Sequence, residues 1–170
     1  MEKNSYEDLQ ALTKRYGEET QTFYKNVKDV GPKVLEAYRD FLGGPPASVN
    51  GVPPVGTFVP RTLYRGEAFS SHDQRTLYLE PIFMGVCTEI GNLSDGGATW
   101  VRTVLEFRPS GAGLVIFVGE RARKFSVGPE LPNMMDAVCD AILEDVREAF
   151  TLELDEAKGH ARIGFITPKE

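Results

Sequence analysis

Apolar and small residues recur at alternating spacings of three and four along the first 43 residues of the chain. The series is Tyr6, Leu9, Thr13, Tyr16, Thr20, Phe23, Val27, Val30, Val34, Ala37 and Phe41. A repeat of seven residues places these side chains on one narrow stripe of a long helix. The pattern therefore predicts a helical arm whose stripe lies against another surface.

The stripe keeps its phase through Gly31-Pro32, a pair that normally ends a helix. Proline is tolerated in the first turn of a helix, because its missing N–H has no partner there anyway. We therefore predict a break, with one helix from an N-cap at Ser5 to about Val30 and a second, nearly collinear helix from Pro32 to about Leu42. A single kinked helix is the alternative.

Behind the arm, the composition and the periodicity both change. Residues 44–60 are rich in proline and glycine and carry no charge, which predicts an extended linker along the surface. Beyond residue 61, apolar and polar residues alternate as they do in half-buried strands joined by short turns. The predicted strands of this antiparallel meander are Thr62–Gly66, Thr76–Ile90, Thr99–Arg108, Leu114–Val118 and Arg121–Val127.

A second amphipathic helix is predicted to begin at Pro132, and its polar side is mostly acidic. Its apolar stripe comprises Met135, Val138, Cys139, Ile142, Val146, Ala149 and Phe150. Residues Ala161–Ile166 predict a short final strand. Together the elements predict an α+β fold with a helical arm at 1–43, a linker at 44–60 and a single α+β domain at 61–170. In that domain the C-terminal helix packs on an antiparallel sheet of four or five strands.

No set of residues matches a catalytic or metal-binding motif. The run Ser70-Ser71-His72-Asp73 lies in a predicted turn, where adjacent side chains diverge, whereas the groups of a Ser-His-Asp triad converge from separate parts of a fold. A zinc site could combine His72, Cys87, Cys139 and His160, but their spacing lacks the close pairs of structural zinc sites. We therefore predict no catalytic residue, no metal ion and no cofactor.

The charge of the chain narrows the classes of partner. The net charge is −6, and the acidic excess lies in residues 125–170. Nucleic-acid binding is therefore not expected, because it needs clustered basic residues.

No run of about 18 apolar residues exists to cross a membrane, and the polar first ten residues are unlike a signal peptide. Cys87 and Cys139 have apolar neighbours, which predicts buried free thiols and a cytoplasmic protein.

Arginine dominates the basic residues of the meander. Trp100, Arg102 and Arg108 alternate onto one strand face, and Arg121 and Arg123 belong to the next hairpin. Because arginine binds carboxylates with two parallel hydrogen bonds and stacks on aromatic rings, this face could bind an acidic partner. The alternative is an ordinary solvated face with Arg–Glu pairs.

These patterns favour a non-enzymatic, homodimeric interaction protein, with an arm contact through Phe23, Val27, Val30 and Val34 and a second contact through the Arg/Trp face. In the alternative, at least half of the arm packs on its own sheet, across the face opposite the C-terminal helix. The rival hypothesis is a binding protein for a small anionic molecule, or a small hydrolase-like enzyme. Its pocket would lie between the sheet and the helices, and would use an arginine (Arg102, Arg108 or Arg121) and a histidine (His72 or His160).

Overall fold

The structure is a computed structural model that describes residues 4–74, 78–91, 96–111, 113–128, 131–151 and 162–167. It has the predicted α+β architecture, in which two helices cover one face of an antiparallel sheet. Within these residues, neither helix has the long apolar stretch needed to cross a membrane. His160 of the hypotheses above lies outside the described residues.

The first helix, α1, runs from Ser5 to Leu42 without interruption. The predicted break is therefore wrong, and Pro32 lies inside the helix. A proline inside a helix removes the hydrogen bond to the carbonyl four residues earlier and crowds that carbonyl with its ring, but the buried Val30 and Val34 hold the helix on both sides of it. The N-cap is Asn4, one residue before the predicted Ser5; its side chain accepts a hydrogen bond from the Tyr6 N–H at 3.1 Å.

Five strands form the sheet in sequence order, and a sixth pairs with the third. They are β1 (Val49–Val52), β2 (Ile82–Gly91), β3 (Ala98–Ser110), β4 (Gly113–Val118), β5 (Arg123–Val127) and β6 (Ile163–Ile166). One edge of β3 pairs with β2 along residues 98–107, and the other edge is shared by β6 at 98–101 and β4 at 105–110. Strand β3 is therefore the centre of the sheet.

Three differences from the predicted strands lie at or before β2. The predicted strand Thr76–Ile90 begins too early, because residues 78–81 are irregular and β2 begins at Ile82; residues 75–77 lie outside the described residues. The predicted strand Thr62–Gly66 is wrong, because this segment is irregular and leads into a short 3-10 turn at Gly66–Ala68. The predicted linker instead contains β1, which pairs with residues 85–88 of β2 and buries Val49 and Val52. Four residues with a glycine among them are too few to show an alternating pattern.

Helices α1 and α2 (Leu131–Ala149) pack on the same face of the sheet and on each other. Self-packing of the arm was expected on the opposite face; instead, α1 shares one core with α2. The largest fully buried side chains of this core are Val27, Val34, Tyr38, Ile82, Met84, Val86, Leu105, Phe107, Ile116 and Ile142.

The opposite face of the sheet is partly covered by residues 53–58, here called the strap. The chain leaves β1 and crosses β2 at Gly85, where a side chain would collide with the carbonyl oxygens of Val52 and Pro53. The pairing of β2 with β3 is continuous from 82 to 91, so β2 has no bulge at Gly85. Gly85 serves instead to let the backbone pass.

The structure predicts opposite effects for two helical glycines. A Cβ at Gly31 would lie 2.5 Å from Cζ of the buried Phe69 ring, whereas a Cβ at Gly17 would meet nothing within 4 Å. We expect Gly31→Ala to lower the free energy of unfolding by about 1–3 kcal/mol through overpacking. Gly17→Ala should leave it unchanged or raise it by up to ~1 kcal/mol, because alanine favours helix. Urea denaturation measures both, and equal effects would contradict the Gly31–Phe69 contact.

Candidate functional site

The first part of α1 projects beyond the rest of the molecule. None of residues 5–19, here called the free arm, is buried, and Thr20 is the first buried side chain of the helix. The exposed fractions of its large apolar residues are high: Tyr6 67%, Leu9 58%, Leu12 59% and Tyr16 50%. The free arm therefore presents a largely exposed apolar stripe, and at its end the Tyr16 hydroxyl accepts a hydrogen bond from the Leu79 N–H at 3.1 Å.

The two threonines of the stripe do not interrupt it. The Thr13 hydroxyl donates a hydrogen bond to the Leu9 carbonyl, and the Thr20 hydroxyl donates to the Tyr16 carbonyl, each at 2.7 Å. With the hydroxyl bonded to its own helix, each threonine can offer its methyl group to the stripe. Thr20 is only 2% exposed in the core, which shows that the arrangement is compatible with burial.

The four predicted contact residues of the arm lie in the second half of α1. Phe23, Val27, Val30 and Val34 are all buried in the core shared with the sheet and α2. This half of the arm thus packs within its own chain. The residues available to a partner are those of the free arm, about one to five turns before Phe23.

The structure places Trp100 and Arg102 of the predicted sheet face under the strap. Arg102 is 5% exposed and donates hydrogen bonds to the carbonyls of Pro53 at 3.1 Å and Gly56 at 2.8 Å. Its guanidinium lies 5.1 Å from the centre of the Phe58 ring, and that ring also packs edge-on against Trp100 at 4.6 Å. Burial lowers the pKa of Arg102. This arginine therefore holds the strap on the sheet.

The other predicted arginines are exposed. Arg108 forms a 2.6 Å ion pair with Glu106 on its own strand and lies 4.5 Å from the centre of the Phe117 ring. Arg121 pairs with Glu148 of α2 at 3.0 Å, and Arg123 lies exposed on β5. For Arg108 and Arg121 the arrangement matches the alternative of a solvated face with Arg–Glu pairs, and an acidic partner for this face stays a prediction.

Sequence reasoning missed the buried carboxylate of Asp145, which it placed on the solvated side of the second helix. Asp145 is 5% exposed and accepts hydrogen bonds from the Thr103 hydroxyl and the Arg162 guanidinium, both at 2.8 Å, and from the Glu120 N–H at 3.0 Å. The only sequence signal near it is Gly119, where a side chain would collide with the carboxylate. Its oxygens are satisfied by the protein itself, as expected of a structural group.

The largest cavity lies between α1 and the irregular segment that precedes β2. It measures about 680 Å³ and is open to solvent. His72 lines it, 42% exposed, with Nε2 3.2 Å from an Asp73 carboxylate oxygen. The neighbouring Ser70 hydroxyl instead accepts the N–H of Phe83 at 2.8 Å. The basic residues at this cavity are Lys28 and Arg65, rather than the three arginines of the ligand-binding hypothesis.

The two cysteines have the chemistry of core residues. Both are free and buried, and burial raises the pKa of Cys87 to about 12 and that of Cys139 to about 11. At neutral pH both thiols are therefore protonated and poorly nucleophilic. Among the described residues, no group of three or more His, Cys, Asp or Glu side chains is arranged to hold a metal ion.

Comparison with models of protein families, with curated proteins and with solved structures found no match to this chain. Function is therefore inferred from its own surfaces. Two of them are exposed to solvent: the stripe of the free arm and the cavity beside His72.

The role of Arg102 is tested by a substitution that keeps its charge. Lysine lacks the planar fork that reaches two carbonyls at once. We expect Arg102→Lys to lower the free energy of unfolding by about 1–3 kcal/mol and to speed thermolysin cleavage in the strap. The exposed Arg108→Lys is the matched control and should change stability by less than about 0.5 kcal/mol. Equal behaviour of the two variants would show that Arg102 does not hold the strap.

Proposed function

We propose that this chain is a non-enzymatic protein-interaction domain that forms a homodimer through the free arm of α1. The observation that carries the proposal is the continuity of the stripe. Its second half is buried in the core, whereas its first half keeps the same spacing and is exposed. A repeat of seven sustained beyond the body of the protein is the pattern of a helix that packs on another helix.

Energetics support a partner for the free arm. An isolated helix of about 15 residues is marginal in water, and Gly17 weakens this one further. Full burial of one leucine side chain contributes roughly 1.5–3 kcal/mol. Leu9 and Leu12 of two chains would together supply several kcal/mol to a dimer, which offsets the ordering of the arm.

We place the second copy in antiparallel orientation. Such a pair, centred at the level of Ala11, would set Tyr6 opposite Tyr16 and Leu9 opposite Thr13, so that the stripes of the two copies face each other along their length. The charged residues Glu7, Asp8, Lys14 and Arg15 lie away from the stripe and would stay in solvent.

The cytoplasm is the proposed compartment, since both cysteines are free thiols within the core and the described residues contain no disulfide. A second contact, with an acidic partner, would have to use the exposed arginines, because Arg102 is bonded to the strap. Arg123 suits such a role best, since no ion pair engages it within the described part of the chain.

The dimer is tested by placing a charge either in the stripe or on the opposite side of the same helix. We expect the unmodified chain to be dimeric in sedimentation equilibrium at tens of micromolar, and Leu9→Glu to raise the dissociation constant at least tenfold, because a carboxylate is costly to bury. Ala11→Glu adds the same charge on the outer side of the arm and should leave the dimer intact. A monomer at 200 µM, or equal effects of the two variants, would contradict the proposal.

Orientation is tested by cysteine pairing. In the antiparallel register Leu9 lies opposite Thr13, so a mixture of Leu9→Cys and Thr13→Cys chains should form mixed disulfides under mild oxidation, and Leu9→Cys alone should not. The native thiols are buried and do not interfere. Efficient cross-linking of Leu9→Cys with itself would indicate a parallel pair instead.

A further inference from the structure

The cavity beside His72 has the size and composition of a small-molecule site. Its volume of about 680 Å³ is within the range of ligand pockets, which are mostly apolar with a few polar groups. Its apolar lining comprises Pro32, Leu35, Tyr64, Ala68, Phe69 and Met84. Its polar lining includes Lys28 of α1, Arg65 of the irregular segment, His72 and Gln74.

Arg65 is one of two described arginines without a side-chain partner, and Lys28, like the other described lysines, has none either. Six described arginines form ion pairs with carboxylates, and two more, Arg39 and Arg102, donate to backbone carbonyls. No ion pair or side-chain hydrogen bond engages Lys28 or Arg65 anywhere in the described residues. Two unpaired cations beside an apolar cavity are complementary to an anion that carries an apolar body.

One acidic residue that lines the cavity, Asp73, and one beside it, Glu67, limit the charge of that anion. Asp73 lies against His72 and is 87% exposed, and Glu67 lies 4.0 Å from the same imidazole nitrogen and is 57% exposed. These carboxylates would repel a polyanion such as a nucleoside triphosphate. A single negative charge near Lys28 and Arg65 is the better match.

The wall of the cavity is fixed before any ligand binds. Gln74 accepts a hydrogen bond from the Tyr24 hydroxyl of α1 at 2.7 Å, and the Ser70 hydroxyl accepts the N–H of Phe83 at 2.8 Å. The Ser70 N–H also donates to the Phe83 carbonyl at 2.8 Å. A wall tied to both α1 and β2 reduces the ordering that binding would otherwise require.

We propose that this cavity binds an aromatic monocarboxylate, with the carboxylate near Lys28 and Arg65 and the ring on Tyr64 and Phe69. Binding there is independent of the homodimer, because no free-arm residue lines the cavity. The ligand is held by the apolar floor and oriented by the two cations.

The test uses 2-naphthoate and its neutral analogue 2-naphthamide in calorimetric titrations of the full chain. We expect one naphthoate per chain, with the amide at least tenfold weaker. The double substitution Lys28→Gln/Arg65→Gln should weaken naphthoate about tenfold and leave the amide unchanged. Both side chains are exposed, so the fold should persist. The matched control is Lys25→Gln/Lys33→Gln, two exposed lysines of α1 outside the cavity, which should bind naphthoate normally.

The site itself is located by methyl NMR of the methionines. The chain has four methionines, and Met84 alone among the described ones lines the cavity. Its methyl signal, assigned with Met84→Leu, should shift with naphthoate and saturate.

Leu9→Glu should bind naphthoate as the unmodified chain does, so failure of the dimer and failure of the cavity are separate results. No binding at 1 mM, equal affinity for the amide, equal loss in the control, or a shift at another methionine instead would overturn the proposal.

Discussion

The burial of one half of α1 determines which surfaces of the molecule stay exposed to solvent. From Thr20 to Tyr38 the helix lies in the core, and Tyr38, which is fully buried, shares a 3.0 Å hydrogen bond with Thr88 of β2. Burial raises the pKa of Tyr38, so its hydroxyl stays protonated at neutral pH. This anchor fixes the direction of the helix, and the free arm projects because the sheet ends before the helix does. The cavity exists for the same reason, since it lies where α1 and the irregular segment meet over β2.

A second constraint acts at the middle of β3, where two consecutive residues connect the sheet to the segments that cover its two faces. The Arg102 side chain extends from one face and donates to the strap, and the Thr103 hydroxyl extends from the other face and donates to Asp145 of α2. Both charged groups are 5% exposed. Removing one partner of a buried charge leaves the other uncompensated, at a cost of several kcal/mol. These bonds thus specify how the strap and α2 sit on the sheet, beyond what apolar packing alone would fix.

The spacing of apolar residues predicted those helices and strands that are long enough for the spacing to repeat several times. Strands β3, β4 and β5 and the start of α2 lie within two residues of their predicted bounds, because each alternates or cycles over several residues. The continuity of α1 could not be predicted from local propensity, since packing at Val30 and Val34 outweighs the bond that Pro32 removes. Strand β1 is too short for a pattern. The Asp145 network joins side chains from four separate segments, so no local sequence pattern predicts it. The stripe of α1 keeps one phase along its length, and the phase does not show which half of the helix is buried.

The two proposed sites are close along the chain but separately supported. Gln74 is part of the cavity wall, and its bond to Tyr24 connects that wall to α1. Tyr24 is itself 7% exposed and packs edge-on against Phe23 in the core. A partner on residues 5–19 would therefore meet a helix whose next turns are already fixed. Coupling between two sites requires an element with two arrangements whose balance both sites shift. The structure shows a single arrangement for the buried half of α1. We therefore expect partner binding and ligand binding to be independent.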